Sequence, residues 1–168
     1  MAYHGFILSS AQVQIRNTTR LIFQGRLSDG MRFHWTVTSP RIVFFIDRDQ
    51  AWTPPGAVRK AVKLKNLRGR HVDGLYFRQT SALTRARRAN EERHILTYEA
   101  DVNPVPRFLM EHFIQGSVRF ESEPVDRKDN CLYFIDPKIK PSDFMPELRT
   151  LSIDIECSMQ LELYSIAL

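Results

Sequence analysis

Short runs of β-branched and aromatic residues, separated by turn-forming residues, fill the first 47 positions and most constrain the fold. Five runs follow one another: GFILSS, AQVQIRN, RLIFQGRL, MRFHWTVT and RIVFFID. In MRFHWTVT apolar and polar residues alternate, which predicts a strand with one buried and one solvated face. LSDGM, between two of the runs, predicts a hairpin turn. The beginning of the chain is therefore predicted to be mostly β.

The middle of the chain predicts a helix between two strands. VDGLYFRQ has the composition of a strand, and TSALTRARRANEERH that of a helix capped by Thr80 or Ser81. ILTYEADV then predicts another strand. Strand, helix and strand over about thirty residues have the size of a βαβ unit.

A second helix is predicted in PVPRFLMEHFIQG, from Pro104 or Pro106 to Gly116. Four of its side chains are predicted to face inward: Phe108, Leu109, His112 and Phe113. VRFESEPV and CLYFIDPKIK predict further strands. KPSDFMPELRT, with its two prolines, is typical of a linker and predicts a domain boundary.

Composition and motif searches exclude several classes of protein. The hydrophobic fraction of 43% argues against disorder, and no apolar run reaches the roughly 18 residues of a membrane span. Cys131 and Cys157 lack paired spacing, which fits a reducing compartment and argues against a disulfide or zinc framework. The sequence contains no phosphate-binding loop, no dinucleotide fingerprint and no nucleophile elbow. The five histidines show no metal-ligand spacing.

Positive charge is concentrated in residues 57–94. This window holds 11 basic and 3 acidic residues, a net charge of +8, whereas the rest of the chain carries a net charge of −3. Such a concentration of positive charge is expected in a protein whose partner is rich in phosphates. A solvated basic face that keeps the protein soluble explains the charge equally well. The candidate nucleic-acid-binding residues are Arg59, Lys60, Lys63, Lys65, Arg68, Arg85, Arg87 and Arg88.

Two carboxylates stand out in the segment SIDIE. If the segment is a strand, Asp154 and Glu156 point to one face, about 6.5 Å apart, while Ile153 and Ile155 anchor the other face. Mg²⁺ and Mn²⁺ prefer such oxygen ligands, and two-metal nuclease sites are built from them. As a lone motif, however, the spacing fits an acidic strand edge better than a metal site.

Three segments change that judgement: GLYFRQ, YEADVNPVPRFLMEHFI and LSIDIECSMQLELYSIAL. In this order and spacing they resemble the N-terminal part of a bacterial family B DNA polymerase. The resemblance runs from GFIL to Leu168 and is strongest from residue 72 onward. SIDIE corresponds to the first proofreading-exonuclease motif of that family.

The resemblance implies a fold class and a domain division. It implies an α+β chain whose residues 1–148 form a mostly β N-terminal domain with an RNA-recognition-like strand–helix–strand unit. Residues 149–168 would be the first β-hairpin of a ribonuclease-H-like 3′→5′ exonuclease domain. The remaining carboxylates and the polymerase domains would lie beyond Leu168, so the chain is expected to be an N-terminal fragment.

The resemblance also implies a function. The parent would be a DNA-directed DNA polymerase with 3′→5′ exonuclease activity, acting in replication and repair synthesis in the bacterial cytoplasm. Asp154 would bridge two metal ions, and Glu156 would hold one ion and orient the attacking water. The expected partners are primer-template DNA, deoxynucleotides and a sliding clamp bound through other regions, with no membrane.

For the fragment itself the resemblance implies less. Mg²⁺ or Mn²⁺ would serve the complete enzyme, whereas the fragment is expected to hold no stable ion, to lack activity and at most to bind template. Two positions depart from the family pattern: Cys157 replaces a Thr, and Leu161 replaces a Gly at the hairpin turn. A free-standing nucleic-acid-binding module and a different ribonuclease-H-like nuclease are the two alternatives.

Overall fold

The computed structural model describes residues 2–148, 151–160 and 162–167, which are mostly β with two helices. In chain order the elements are β1 (Ala2–Ile15), β2 (Thr18–Leu27), β3 (Arg32–Val37), β4 (Ile42–Asp47), β5 (Val58–Lys65), β6 (His71–Phe77), α1 (Thr80–Glu91), β7 (Thr97–Tyr98), α2 (Pro104–Glu111), β8 (Ser117–Glu121), β9 (Asp126–Lys128), β10 (Cys131–Ile135), β11 (Lys138–Pro141), β12 (Asp154–Cys157) and β13 (Leu163–Ala167). The mostly β prediction is therefore confirmed. In these residues no helix is long and apolar enough to cross a membrane.

A seven-stranded sheet has the order β11-β8-β1-β2-β3-β10-β9, in which β3 and β10 are parallel. The sheet is strongly curled. The rings of Tyr3 on β1 and Phe134 on β10 lie 5.1 Å apart, although the two strands are three places apart in the sheet. In a flat sheet that separation would be about 14 Å. The curl encloses an aromatic core.

The alternation predicted in MRFHWTVT is confirmed, because Phe33, Trp35 and Val37 are buried in this core. The turn predicted in LSDGM joins β2 to β3. The prediction of two separate strands before residue 17 is wrong, since β1 runs unbroken through both. A bulge between Ile7 and Ser9 in its pairing with β2 adjusts the register, so a single strand accommodates both runs.

The second helix ends earlier than predicted, at Glu111 instead of Gly116. Phe113 adopts a left-handed backbone conformation with φ of 56°, and the N–H groups of Phe113 and Ile114 donate to the carbonyls of Met110 and Leu109. This is a Schellman ending. It turns the Phe113 side chain outward, where it is 83% exposed, so the prediction that Phe113 faces the core is wrong. Phe108 and Leu109 pack against the core as predicted.

A four-stranded sheet has the order β5-β6-β4-β7. β6 and β7 both run antiparallel to β4 and are therefore parallel to each other, and α1 connects them. This is a split βαβ unit with β4 in the middle. Leu83 and Ala86 of α1 pack with Phe44 and Leu75 of the sheet.

The start of α1 differs from the prediction that Thr80 or Ser81 caps it. Gln79 is the N-cap residue and makes no side-chain capping bond. Instead, the Thr80 N–H donates to Oγ1 of Thr19 on β2, at 3.1 Å. A tertiary contact thus replaces the local cap. The strand predicted after α1 is reduced to the two residues of β7, because Glu99 has a φ of 58°.

Candidate nucleic-acid interface and carboxylate pair

Asp154 and Glu156 lie on β12, which forms an antiparallel hairpin with β13. Both residues are exposed, and as alternate residues of one strand they share a face. Ser165, opposite Glu156 on β13, donates a hydrogen bond from Oγ to Glu156 Oε2 at 3.4 Å. The hairpin therefore presents two carboxylates to solvent on a paired strand.

The apolar neighbours of this pair do not anchor the strand as predicted. Ile153 and Ile155 are 53% and 58% exposed. The β12–β13 ladder offers backbone pairing but no buried layer under β12 in the described residues. The side chain of Cys157, the first departure from the family pattern, is exposed. Leu161, the second departure, lies outside the described residues.

The pair supplies part of the ligand set of a metal site. Carboxylate oxygens suit Mg²⁺ and Mn²⁺, and both side chains are exposed. Among the described residues, however, no group of three or more His, Cys, Asp or Glu side chains could hold an ion. Asp154 and Glu156 could therefore contribute two ligands to a site whose other ligands come from elsewhere.

Among the predicted DNA-binding residues, Arg59 is already engaged within the fold. Its Nε donates to Asp73 Oδ2 at 2.9 Å, and its two terminal nitrogens donate to the carbonyls of Gln50 and Arg48. Arg48 Nε donates to the other oxygen of Asp73 at 2.8 Å. The side chain of Asp73 is only 10% exposed, so both arginines neutralise an otherwise buried charge.

The pKa of Asp73 reflects this arrangement. Burial alone would raise the pKa, but the hydrogen bonds and positive charges of Arg48 and Arg59 outweigh it and hold the pKa below its ordinary value. Sequence reasoning missed this network. The available signal was the position of Asp73 as the one acid among the basic residues from 57 to 90.

The other cations of the basic window remain accessible but do not form a single patch. Lys60 Nζ lies 5.3 Å from the centre of the Tyr76 ring, and Tyr76 packs with Val43 and Phe45. That cluster occupies the sheet face opposite the one covered by α1. The predicted residues Lys63, Lys65 and Arg68 are exposed on β5 or in the turn that follows it, as is Arg70.

On α1, Arg85 and Arg88 are exposed, whereas Arg87 is half-buried and its Nε lies 3.3 Å from Glu91 Oε1. Arg85 and Arg88 are three residues apart and share one side of the helix. α1 covers one face of the four-stranded sheet, and Lys60 lies on the opposite face. A straight polyanion that contacts the arginines of α1 would therefore not also contact Lys60. The structure thus divides the predicted basic region into two surfaces.

Comparison with known proteins gives a structural match and a sequence match. No model of a known protein family matches the sequence. In structure, the chain is similar to the family B DNA polymerase from the hyperthermophilic archaeon Pyrobaculum calidifontis, with a TM-score of 0.73 and 14% identity, over 91% of this chain and 22% of that one. The fold is that of part of a family B DNA polymerase.

In sequence, the chain is 31% identical over 176 aligned positions to DNA polymerase II of Escherichia coli strain K12. The match covers 100% of this chain and 22% of the relative's length. The resemblance inferred from the three segments is therefore confirmed. The match to DNA polymerase II extends over the whole of this chain.

Proposed function

We propose that this chain works as the N-terminal part of a family B DNA-directed DNA polymerase that carries a 3′→5′ proofreading exonuclease. The observation that carries the proposal is the similarity to DNA polymerase II along the entire chain. The polymerase would bind primer-template DNA and deoxynucleotides and would serve replication or repair synthesis in the bacterial cytoplasm. A sliding clamp would bind through other regions.

In this proposal residues 1–148 are the N-terminal domain and residues 149–168 begin the exonuclease domain. The split βαβ unit of β6, α1 and β7 supports an RNA-recognition-like topology. RNA-recognition folds bind bases by stacking them on exposed aromatic side chains of the sheet. Here Phe45, on the sheet face opposite α1, is only 9% exposed, so the likeness concerns topology more than base binding. Residues 149 and 150, at the proposed boundary, lie outside the described part of the chain.

The β12–β13 hairpin supports the exonuclease assignment through Asp154 and Glu156. Divalent ions would supply the Lewis acidity that such a nuclease needs. Asp154 and Glu156 would both hold these ions, and Glu156 would also orient the attacking water. Ser165, which donates to Glu156 Oε2, would fix the orientation of that carboxylate.

The test uses the protein produced from the full reading frame that encodes this chain. Asp154→Ala combined with Glu156→Ala should abolish 3′→5′ degradation and leave nucleotide addition largely intact, because the polymerase site would use other residues. Glu162→Ala, an exposed acid on the same hairpin, is the matched control and should retain degradation. Normal proofreading in the double variant would refute the metal-ligand assignment. Absence of nucleotide addition by the unsubstituted protein would refute the assignment as a polymerase.

A further inference from the structure

A groove of about 560 Å³ lies on the outer face of the seven-stranded sheet, and one residue of the aromatic core, Phe33, contributes to its lining. It crosses the middle of β1, the end of β2, the starts of β3 and β10, and the end of β9. None of its lining residues belongs to the basic window of residues 57–94 or to the carboxylate hairpin. The groove is therefore separate from the sites considered so far.

Two rows of side chains cross the floor of this groove. In the first row the strand register places Gln24, His34 and Tyr133 next to one another on β2, β3 and β10. The rings of His34 and Tyr133 are stacked, with centroids 5.3 Å apart and planes 30° apart. The Gln24 side-chain nitrogen lies 3.4 Å from His34 Nδ1. This row offers a partly exposed aromatic surface fixed by a neighbouring amide.

Burial lowers the pKa of His34. A lowered pKa keeps the imidazole neutral near pH 7, and a neutral ring packs against another flat ring without the desolvation cost of a charge. The aromatic row can therefore act as a stacking surface under ordinary conditions.

The second row is cationic. The register places Arg26 opposite Arg32, and Cys131 opposite both Arg32 and Lys128. Because Arg32 and His34 are alternate residues of β3, the two rows lie about 6.6 Å apart on the same face. Among the residues that line the groove, three are cations and one, Asp129, is an acid.

The two arginines are held in place by the backbone. Arg26 Nη1 donates to the Gly30 carbonyl at 3.0 Å, and Arg32 Nη2 donates to the Asp129 carbonyl. A guanidinium has five N–H donors, so each arginine keeps others for a ligand. Their attachment to backbone reduces the side-chain entropy that would be lost on binding.

We propose that this groove binds a nucleotide of single-stranded DNA, with the base against the His34–Tyr133 pair and the phosphate held by Arg26, Arg32 and Lys128. Stacking surfaces beside positive grooves are the general means of holding single strands without sequence preference. The proposal rests on the proposed function, since a polymerase handles an unpaired template strand.

The test is fluorescence anisotropy of the 168-residue chain with 5′-labelled oligo(dT) across a salt series. His34→Ala with Tyr133→Ala should weaken binding at every salt concentration by about tenfold, since stacking contributes roughly 1–3 kcal/mol per base. Arg32→Gln with Lys128→Gln should lower the slope of log K against log[salt] by about 1.4, or roughly 0.7 for each lost phosphate contact.

The matched control removes two exposed cations from another strand of the same sheet, Lys138→Gln with Lys140→Gln. A loss equal to that of the Arg32 and Lys128 variant would overturn the proposal, because it would reflect net charge alone. Unchanged binding in the aromatic variant would also overturn it. Thermal melting of each variant shows whether it is folded.

A second measurement needs no substitution. Oligo(dT) with one 5-iodouracil is irradiated with the unmodified chain, and the cross-linked residue is located by mass spectrometry. A cross-link at Tyr133 or His34 supports the groove, whereas cross-links confined to α1 or β5 refute it. If the groove does not bind DNA but the protein from the full reading frame still polymerises DNA, this inference alone is refuted. If the groove binds DNA but that protein has no polymerase activity, the proposed function alone is refuted.

Discussion

Arg59 donates from Nε to Oδ2 of Asp73 at 2.9 Å, which joins a residue predicted to bind DNA to a carboxylate inside the fold. The contact links β5 to β6, and the side chain of Arg59 is 21% exposed. Arg59 is therefore assigned to the stability of the four-stranded sheet and is omitted from the surfaces proposed to bind DNA.

Replacing this carboxylate tests the assignment. Asp73→Asn should lower the free energy of unfolding by about 3 kcal/mol, the low end for a broken buried pair, because Arg48 is partly exposed. Urea denaturation measures it. Glu121→Gln is the control: it breaks the exposed pair with Arg119 and should cost about 1 kcal/mol or less. Equal losses in the two variants would contradict the assignment.

The same carboxylate predicts a pH dependence. The folded-state pKa of Asp73 is lowered, so its stabilising contribution is fully present above the ordinary value of 3.8. It is lost as the pH falls through the lower folded-state pKa. Thermal melts between pH 2 and 7 should show a smaller acid-side loss of stability in Asp73→Asn than in the wild type. Parallel profiles would show that Asp73 does not contribute.

The isolated 168-residue chain should neither extend primers nor degrade single-stranded DNA. Two carboxylates are too few to fix two ions in the geometry that phosphodiester cleavage needs. Incubation of labelled primer-template and labelled single strands with Mg²⁺ measures both reactions. Degradation by the chain that disappears in the Asp154→Ala and Glu156→Ala variant would instead support an independent nuclease.

The exposed side of α1 should bind single-stranded DNA in a salt-sensitive manner. The variant with Arg85, Arg87 and Arg88 all changed to Ala should weaken binding in fluorescence anisotropy and lower the salt slope by about 1.4, the value for two phosphate contacts. Arg87→Ala alone is the control and should change little, because Arg87 pairs with Glu91. Binding that ignores salt, or that survives the triple change, would remove these arginines from the interface.

Gly25 should tolerate no side chain. A Cβ there would lie 2.0 Å from the Phe6 carbonyl oxygen and 2.6 Å from Phe33 Cζ. Gly25→Ala should therefore cost about 3 kcal/mol or more, since backbone and a core ring must both move. Gly30→Ala, in a turn with φ of 83° and open space around it, should cost about 1 kcal/mol. Calorimetry that ranks the two in reverse order would contradict the close approach of β1 and β2.

The sequence pattern correctly predicted those strands and turns that are determined by residues close together in the sequence. The alternation around Trp35 predicted a half-buried strand, and the turn residues before it predicted the hairpin. The end of α2 was missed because Phe113 occupies a left-handed position that usually holds Gly, and its large ring gave no sign of it.

In the candidate sites, too, spacing along one strand could be predicted from the sequence, whereas contacts between residues far apart in the sequence could not. Asp154 and Glu156 share a face because of strand period alone. Whether Lys60 and Arg85 share a surface depends instead on which face of the four-stranded sheet α1 packs against, which no local pattern gives. His34 and Tyr133 meet only through the parallel pairing of β3 with β10, across almost 100 residues of sequence.

The pairing of β1 with β8 has a consequence for synthesis of the protein. β1 is synthesised well before β8, yet Ala2 pairs with Glu121 and Phe6 with Ser117. At roughly 5–20 residues per second a ribosome needs about 6–23 s to produce the missing strand. During that time one edge of β1 has unpaired backbone groups, which other chains can join. The nascent protein is therefore most exposed to aggregation before β8 emerges, and a chaperone that shields this edge should increase the yield of folded chain.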